Sequence, residues 1–369
     1  MVPSTAPPGA RIYSSPLRYV QGPGALDQVG RFAALGHSRA ALLLDSFIAD
    51  AIEPRLMRSL EAGGLAIDCR RVSDEVTAGN IADLAAEFAV SRPDLVVAAG
   101  GGKTLDLGKG VAAALSIPII TVPTIASNDG PTSRVIAQYD DEHRLVATPT
   151  MSFNPEAVIV DTALISGAPR RFLLSGIGDA LAKTFEAGAT ARAGGLNSHS
   201  TAPLSLPLAI AAHCYSVLLR DSASALRDLG GPTVSTELEN VIEAVVLMSG
   251  LAFENGGLSL AHAMTRGLMA ESGASSHLHG FQVAYGLLVQ LAHEGDRAEF
   301  ERVSRFFDAV ELPRTLHDLG AASDDGTLRR MATAAMSAPH ARHSTPTASV
   351  DSLIGAMESV ESTLEENPA

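Results

Sequence analysis

Three residues far apart in the chain have the types needed to hold a metal ion: Asp179, His262 and His279. One carboxylate and two imidazoles make a donor set suited to zinc or ferrous iron, and three protein ligands leave a coordination position open to substrate. No local spacing joins them, and each also has a plain structural reading. Asp179 reads as a first-turn residue of a helix beginning at Ser175, where a carboxylate ordinarily only complements the dipole. His262 sits in an alanine-lined stretch, where a lone histidine is usually a satisfied core residue, and His279 starts a helix. His277 precedes it by two and points differently at a helix start, which makes it a poorer ligand. His340 and His343 read as loop residues of a Pro/Ser/Thr-rich connection.

A second chemistry lies in Gly100, Gly101, Gly102, Lys103 and Thr104. The apolar run 94–98 precedes them, and Leu105, Leu107, Val111 and Leu115 follow at helical spacing. Three glycines at a strand-to-helix junction leave no Cβ between backbone and ligand, and the new helix offers unpaired N–H groups and the positive end of its dipole. This is a site for a phosphate or pyrophosphate; the alternative is a tight turn that merely needs glycine. The stretch is neither G-x-G-x-x-G nor a Walker A loop. Asp45, at the end of the apolar run 40–44, could accept ribose hydroxyls and repel a 2′-phosphate, favouring NAD over NADP, or could cap the helix that starts near Ile48. The loop 123–134 follows another apolar run. Its Thr124, Ser127 and Ser133 could bond a nucleotide and its Asp129 a substrate hydroxyl, though each alone is also a common turn residue.

The elements that must carry these residues alternate. Short apolar runs at 40–44, 65–71, 94–98, 117–122 and 157–161 are separated by helical patterns up to about residue 162, which predicts a parallel, doubly wound, Rossmann-like α/β domain over 1–162. A small hairpin is expected from Val135–Tyr139, an acidic turn at Asp140-Asp141-Glu142 and a return through Leu145–Ala147, with Ala157–Asp161 closing the sheet. Helical patterns then dominate 163–369, ending in an amphipathic helix over 349–364 and a short tail.

Composition narrows the class. The 369 residues are 46% hydrophobic and 18% charged, which describes a folded globular chain. Aromatics are 4% and Trp is absent, so small and aliphatic side chains must fill the core. The net charge of −14, with no basic cluster, argues against nucleic acid as a partner. No apolar run is long enough to span a bilayer, so no membrane role is expected. The Pro- and Ala-rich start lacks the pattern of a signal peptide, and Cys69 and Cys214 read as two buried, reduced thiols; a cytoplasmic location follows as an expectation.

Together these motifs resemble the glycerol dehydrogenase branch of the iron-containing (group III) alcohol dehydrogenases. The resemblance rests on Gly-Gly-Gly-Lys-Thr-Leu-Asp at 100–106, Val-Pro-Thr-Ile-Ala-Ser at 122–127, Gly-x-Gly-Asp-Ala-Leu-Ala-Lys at 176–183, Phe-Glu-Asn-Gly-Gly-Leu at 253–258, Ala-His-Ala at 261–263 and His-Gly at 279–280. It implies a dehydroquinate synthase-like fold, with an NAD-binding α/β domain, an all-α metal-binding domain and the active site in the cleft between them. It implies a divalent metal, zinc before iron, on Asp179, His262 and His279. It implies an NAD site lined by Asp45, Gly102, Lys103, Asp106, Thr124, Ser127, Ser133, Val135 and Tyr139, and places Asp129 against the polyol. The implied reaction is hydride transfer between a small polyol and its ketone, of the glycerol–dihydroxyacetone type, in a homo-oligomer. Three departures bear on substrate: Phe281 where the family usually has Glu, Asn128-Asp129-Gly130 in place of Thr-Asp-Ala, and Arg134 near the substrate loop. The Asn-Asp-Gly run is closer to sn-glycerol-1-phosphate dehydrogenases, so a phosphorylated or specialised alcohol is the alternative substrate. A dehydroquinate-synthase-like lyase ranks below both.

Overall fold

The computed structural model describes residues 9–140 and 144–366. The first eight residues of the Pro- and Ala-rich lead, Asp141 and Glu142 of the expected acidic turn, and the last three residues of the tail lie outside the described residues. The chain forms two compact units: Ser14–Pro169 with Asp228–Gly250, and Arg170–Arg227 with Leu251–Ala369 and the N-terminal stretch to Tyr13.

Among the described residues, the first unit holds eight strands: β1 (Tyr19–Gly22), β2 (Arg39–Asp45), β3 (Ala66–Val72), β4 (Leu95–Gly100), β5 (Ile119–Pro123), β6 (Gln138–Tyr139), β7 (Leu145–Ala147) and β8 (Ala157–Asp161). Six of them form a wholly parallel sheet in the order β1-β8-β5-β4-β2-β3. β4 and β5 are buried along their whole length, which is why they read as unbroken apolar runs rather than as alternating ones. Successive side chains of these strands feed two separate cores. Leu42, Leu44, Val97 and Ala99 pack with Ile52, Leu56 and Leu60 of the helix Ala49–Ala62. Leu43, Val96 and Ala98 pack with Ile81 and Phe88 of Ala78–Ala89 and with Leu107 and Val111 of Gly102–Leu115. Helices on both faces make the sheet doubly wound, as the alternation predicts. From β2 the chain runs outward to β3 and then crosses back to β4, so the order reverses between β2 and β4, where Leu44 pairs with Ala99. Ligands of open α/β sheets bind outside the carboxyl ends of the strands at such a reversal. Here those ends are Asp45 and Gly100.

Several local expectations are corrected. β8 does not close an edge of the sheet; it inserts between β5 and β1. The hairpin is shorter than expected, with Gln138 and Tyr139 paired to β7 and Val135 bridged singly to Thr150. The Ala137 N–H donates to Asp106 Oδ2 at 3.0 Å instead of to a neighbouring strand. Cys214 is buried, but Cys69 is only half-buried because β3 is an edge strand.

The second unit is helical. Its helix Arg170–Arg192 begins five residues before Ser175, so Asp179 lies in the helix interior and not in its first turn. The two glycines at 176 and 178 suggest a helix entrance because glycine costs about 1 kcal/mol relative to alanine inside a helix. Packing explains the place of Gly178. A Cβ on Gly178 would stand 2.5 Å from the Gly280 carbonyl oxygen, and one on Gly280 would stand 1.7 Å from that of Ser175. The helix His279–Glu294 therefore crosses Arg170–Arg192 with the backbones in contact. Gly286 makes the same kind of approach to Leu260–Met269, where a Cβ would meet the Ala261 carbonyl oxygen at 2.3 Å. Among the described residues, no single helix is long and apolar enough to cross a membrane.

Candidate functional site

The glycine crossings bring together what the sequence scatters. Asp179 directly follows Gly178, and His279 directly precedes Gly280, so the closest approach of the two helices sets both side chains beside each other. His262 arrives on Leu260–Met269, the helix packed at Gly286. One ligand atom from each of Asp179, His262 and His279 falls within 4.8 Å of the others. The cluster grades from inside to outside: Asp179 is buried, His262 intermediate and His279 exposed. Metal binding needs both features, a fixed anion within and an open side toward substrate. His277 stays out of the cluster and packs on Phe281, with ring centroids 6.3 Å apart. Both line an open cavity of about 400 Å3 with Leu312, Pro313 and Arg314.

The residues around the cluster complete the donor set. Glu186 Oε2 lies 2.6 Å from His262 Nδ1, and its Oε1 accepts from the backbone N–H groups of Ser259 and His262. With Nδ1 turned to a buried carboxylate, Nε2 is directed into the cluster, 3.2 Å from Asp179 Oδ1, the usual orientation behind a metal-bound imidazole. Burial alone would raise the Glu186 carboxyl, but His262 and Lys183 outweigh it and hold it down at about 2. Asp179 is also held below the usual carboxylate range: burial opposes ionisation, and Lys183 with the two histidines overcomes it. A charged carboxylate, an oriented imidazole and an exposed imidazole fit a divalent ion.

The sequence reading passed over Lys183 and Glu186 as functional residues. The signal was present, since 179, 183 and 186 follow at i, i+4 and i+7 and so share one helix face. Lys183 Nζ stands 2.5 Å from Asp179 Oδ1 and 3.1 Å from His262 Nε2.

At the reversal of the sheet, the three glycines divide into two kinds. A Cβ on Gly100 would stand 2.6 Å from Asp45 Cβ and 2.7 Å from Thr104 Cβ, so this glycine and the buried Thr104 serve packing. On Gly101 a Cβ would meet the Ile125 side chain at 3.3 Å and Asp45 Oδ2 at 3.9 Å, and on Gly102 the Asn128 side chain at 3.3 Å, with no backbone in the way. Gly101 and Gly102 open the helix Gly102–Leu115 and leave its N-terminus accessible. Asp45 does not cap the following helix, whose N-cap is Ile48. Its Oδ1 accepts from the Phe47 N–H at 3.0 Å, and its Oδ2 lies 3.4 Å from the Gly101 N–H. The Asp45 carboxylate thus sits on the glycine loop.

The other residues of the expected nucleotide site are drawn into the same end of the sheet, several by bonds that hold the loop itself. The Thr124 N–H donates to the Gly100 carbonyl at 3.1 Å, and Ser127 is half-buried nearby in sequence. The Ser133 hydroxyl accepts from the Val135 N–H. Lys103 extends to Glu75 at 2.7 Å and is exposed. Asp106 accepts from Ala137 N–H and from Lys109 Nζ. Burial raises the Tyr139 phenol to about 12, with Asp106 and Glu75 adding to it. Lys109 was not legible as functional. Fully buried, its ammonium donates to Asp106, to the Gly130 carbonyl at 2.7 Å and to the Val135 carbonyl at 2.9 Å, pinning the loop to the helix Gly102–Leu115. Asp129 is buried, and its Oδ2 accepts from Ser249 Oγ at 2.8 Å. Ser249 follows a π-helical stretch, Ala244–Met248, in which the Val246 carbonyl accepts from Thr132. Asn128 turns its side chain to the Gly130 N–H, and Arg134 is half-buried.

Comparison with known proteins agrees with this architecture. The family model described as iron-containing alcohol dehydrogenase matches residues 20–169. A glycerol dehydrogenase of Pseudomonas putida is 36% identical over 87% of this chain and 88% of its own. A glycolaldehyde reductase of Halobacterium salinarum is 35% identical over 84% of this chain and 85% of its own. The crystal structure of a probable glycerol dehydrogenase from Sinorhizobium meliloti 1021 superposes with a TM-score of 0.91 at 34% identity, covering 97% of this chain and all of that one. The parallel sheet, the helical unit and these relatives define an oxidoreductase of alcohols. The chain belongs to the iron-containing alcohol dehydrogenase family. Membership implies a divalent metal and NAD(H) as cofactors.

Proposed function

We propose that this chain interconverts a small polyol and its hydroxy-ketone with NAD, glycerol and dihydroxyacetone being the pair to test first. The observation that carries the reading is the Asp179–His262–His279 cluster, a buried carboxylate and two imidazoles with their ligand atoms within 4.8 Å. In this reading these three residues hold one divalent ion, zinc before iron, which supplies Lewis-acid polarisation of the substrate oxygen. Glu186 orients the His262 ring and keeps its Nε2 turned toward the ion. Asp129, steadied by Ser249, accepts a hydrogen bond from a second hydroxyl of the polyol, which selects a diol over a simple alcohol. The backbone N–H groups of the first turn of Gly102–Leu115 bind the pyrophosphate. Thr124, Ser127, Ser133, Val135 and Tyr139 border the nucleotide. Asp45 accepts from the ribose hydroxyls and repels a 2′-phosphate, which selects NAD. NAD, when bound, would supply the hydride chemistry, while the chain supplies position and electrostatics.

The test is NADH formation from glycerol, 1,2-propanediol and glycerol-1-phosphate by zinc-reloaded protein, beside Asp179→Asn and His262→Ala. Turnover of the free polyols, lost by a factor of about 1,000 or more in the variants together with the bound zinc, is the expected result. Turnover of glycerol-1-phosphate alone would replace the polyol with a phosphorylated substrate, and undiminished turnover in the metal-free variants would remove the cluster from the reaction.

A further inference from the structure

We propose that Lys183 is a built-in competitor of the metal at this centre, holding two of its three ligand atoms and so setting the affinity of the chain for its divalent ion. The proposal rests on the reading of Asp179, His262 and His279 as ligands. Nζ of Lys183 lies 2.5 Å from Asp179 Oδ1 and 3.1 Å from His262 Nε2, polar atoms of two of the three residues grouped as ligands. The side chain is 1% exposed, so its charge is not shared with solvent. It stands one helical turn after Asp179, and the helix is locked by the Gly178–Gly280 crossing, so Lys183 has no freedom to leave by backbone movement.

Two consequences of opposite sign follow. Without metal, Lys183 is the strongest cationic partner of the buried Asp179, whose other neighbour is the His262 ring at 3.2 Å, so it supports the fold of the ion-free chain. With metal, a divalent ion on the same two atoms meets a positive charge in a poorly screened interior, so Lys183 must release both atoms and its repulsion weakens binding. The ring of Phe253 lies 5.9 Å from Nζ and offers a face for the released ammonium. A lysine that only packed the helix would act differently: its loss would weaken the fold and the metal site together.

The experiment compares wild type, Lys183→Met and Lys183→Gln, the second neutral variant guarding against a folding failure of the first. Zinc affinity is read by competition with a chromophoric chelator, and stability by thermal unfolding with and without zinc. The proposal expects both neutral variants to bind zinc about tenfold or more tightly than wild type. It also expects their ion-free forms to melt lower and their rise in Tm on adding zinc to be larger. Wild-type or weaker zinc affinity in a folded neutral variant would overturn it. Failure of the wild type itself to take up zinc, ferrous iron or manganese, with Asp179→Asn indistinguishable, would overturn the metal-centre reading and this proposal with it, and so marks a different failure.

Discussion

The glycine loop of the sheet unit and the Asp/His/His cluster of the helical unit are built in opposite ways. The loop is one short continuous stretch whose chemistry lies in backbone N–H groups and in side chains that are missing. The cluster is three side chains spread over a hundred residues, and its chemistry lies in their atoms. Glycine is essential to both, for different reasons. On Gly101 and Gly102 an added Cβ would meet side chains alone, those of Ile125, Asp45 and Asn128, so the space there is not taken up by the backbone of the fold. At Gly178, Gly280 and Gly286 it would strike a carbonyl oxygen of another helix, so the space is already filled by the fold. The same residue type is read correctly only once it is known what its missing Cβ would meet.

The largest effect breaks this comparison at the helical unit. In Gly280→Ala the new methyl would sit 1.7 Å from the Ser175 carbonyl, and backbone cannot rotate away as a side chain can. We expect a loss of about 3 kcal/mol or more in urea unfolding, with loss of bound metal because the crossing also sets Asp179 beside His279. In Gly101→Ala the nearest atom is a flexible Ile125 methyl at 3.3 Å, so stability should change by less than about 1 kcal/mol while the Kd for NAD rises about tenfold. Equal loss of stability in the two variants would show that Gly101 is also a packing glycine.

The same contrast explains what was legible. The strands, the double winding and the glycine loop could be read because each signal is local: apolar runs, helical spacing and turn chemistry. Asp179 could be named, but its place in the helix could not. Gly176 and Gly178 look like a helix entrance until the partner helix that needs Gly178 is seen. The metal cluster was legible only through a resemblance, since nothing in the spacing of 179, 262 and 279 predicts a distance. Lys109 and Lys183 were missed as functional residues for a shared reason. A lysine in a helix is ordinarily read as solvated, and the partners that bury these two are Gly130 and Val135 for one and His262 for the other, all remote in sequence.

Lys109 tests whether the sheet unit really relies on backbone. Its three bonds draw the carbonyls of Gly130 and Val135 to the helix that begins at the glycine loop, so a buried side chain there shapes the loop bearing Asp129 and Ser133. Lys109→Met leaves Asp106 without its cation and removes the ammonium donor of the Val135 carbonyl, while the Gly130 carbonyl keeps only the Ser133 N–H. A loss of about 3 kcal/mol in urea unfolding is expected, the usual result of removing one partner of a buried pair. The accompanying sign is a higher KM for the polyol with zinc content unchanged, because the cluster lies in the other unit. Unchanged stability would mean that the loop is held by its own turns, such as the Asn128 contact with the Gly130 N–H.

Asp45 gives the smallest effect and sharpens the comparison most, since it is the side chain with its carboxylate on the glycine loop. The carboxylate has two tasks to separate: its Oδ1 shapes the turn through the Phe47 N–H, and in the proposed reading its charge faces the ribose. Asp45→Asn keeps an oxygen for the turn and removes the charge. If the charge selects the cofactor, the variant binds NAD more weakly by about 1–1.5 kcal/mol, roughly tenfold in Kd, and gains in its use of NADP relative to NAD. Equilibrium titration with each cofactor checks both signs. If neither Kd moves while Gly101→Ala still weakens NAD, the carboxylate serves only the turn, and the loop binds its cofactor through backbone alone.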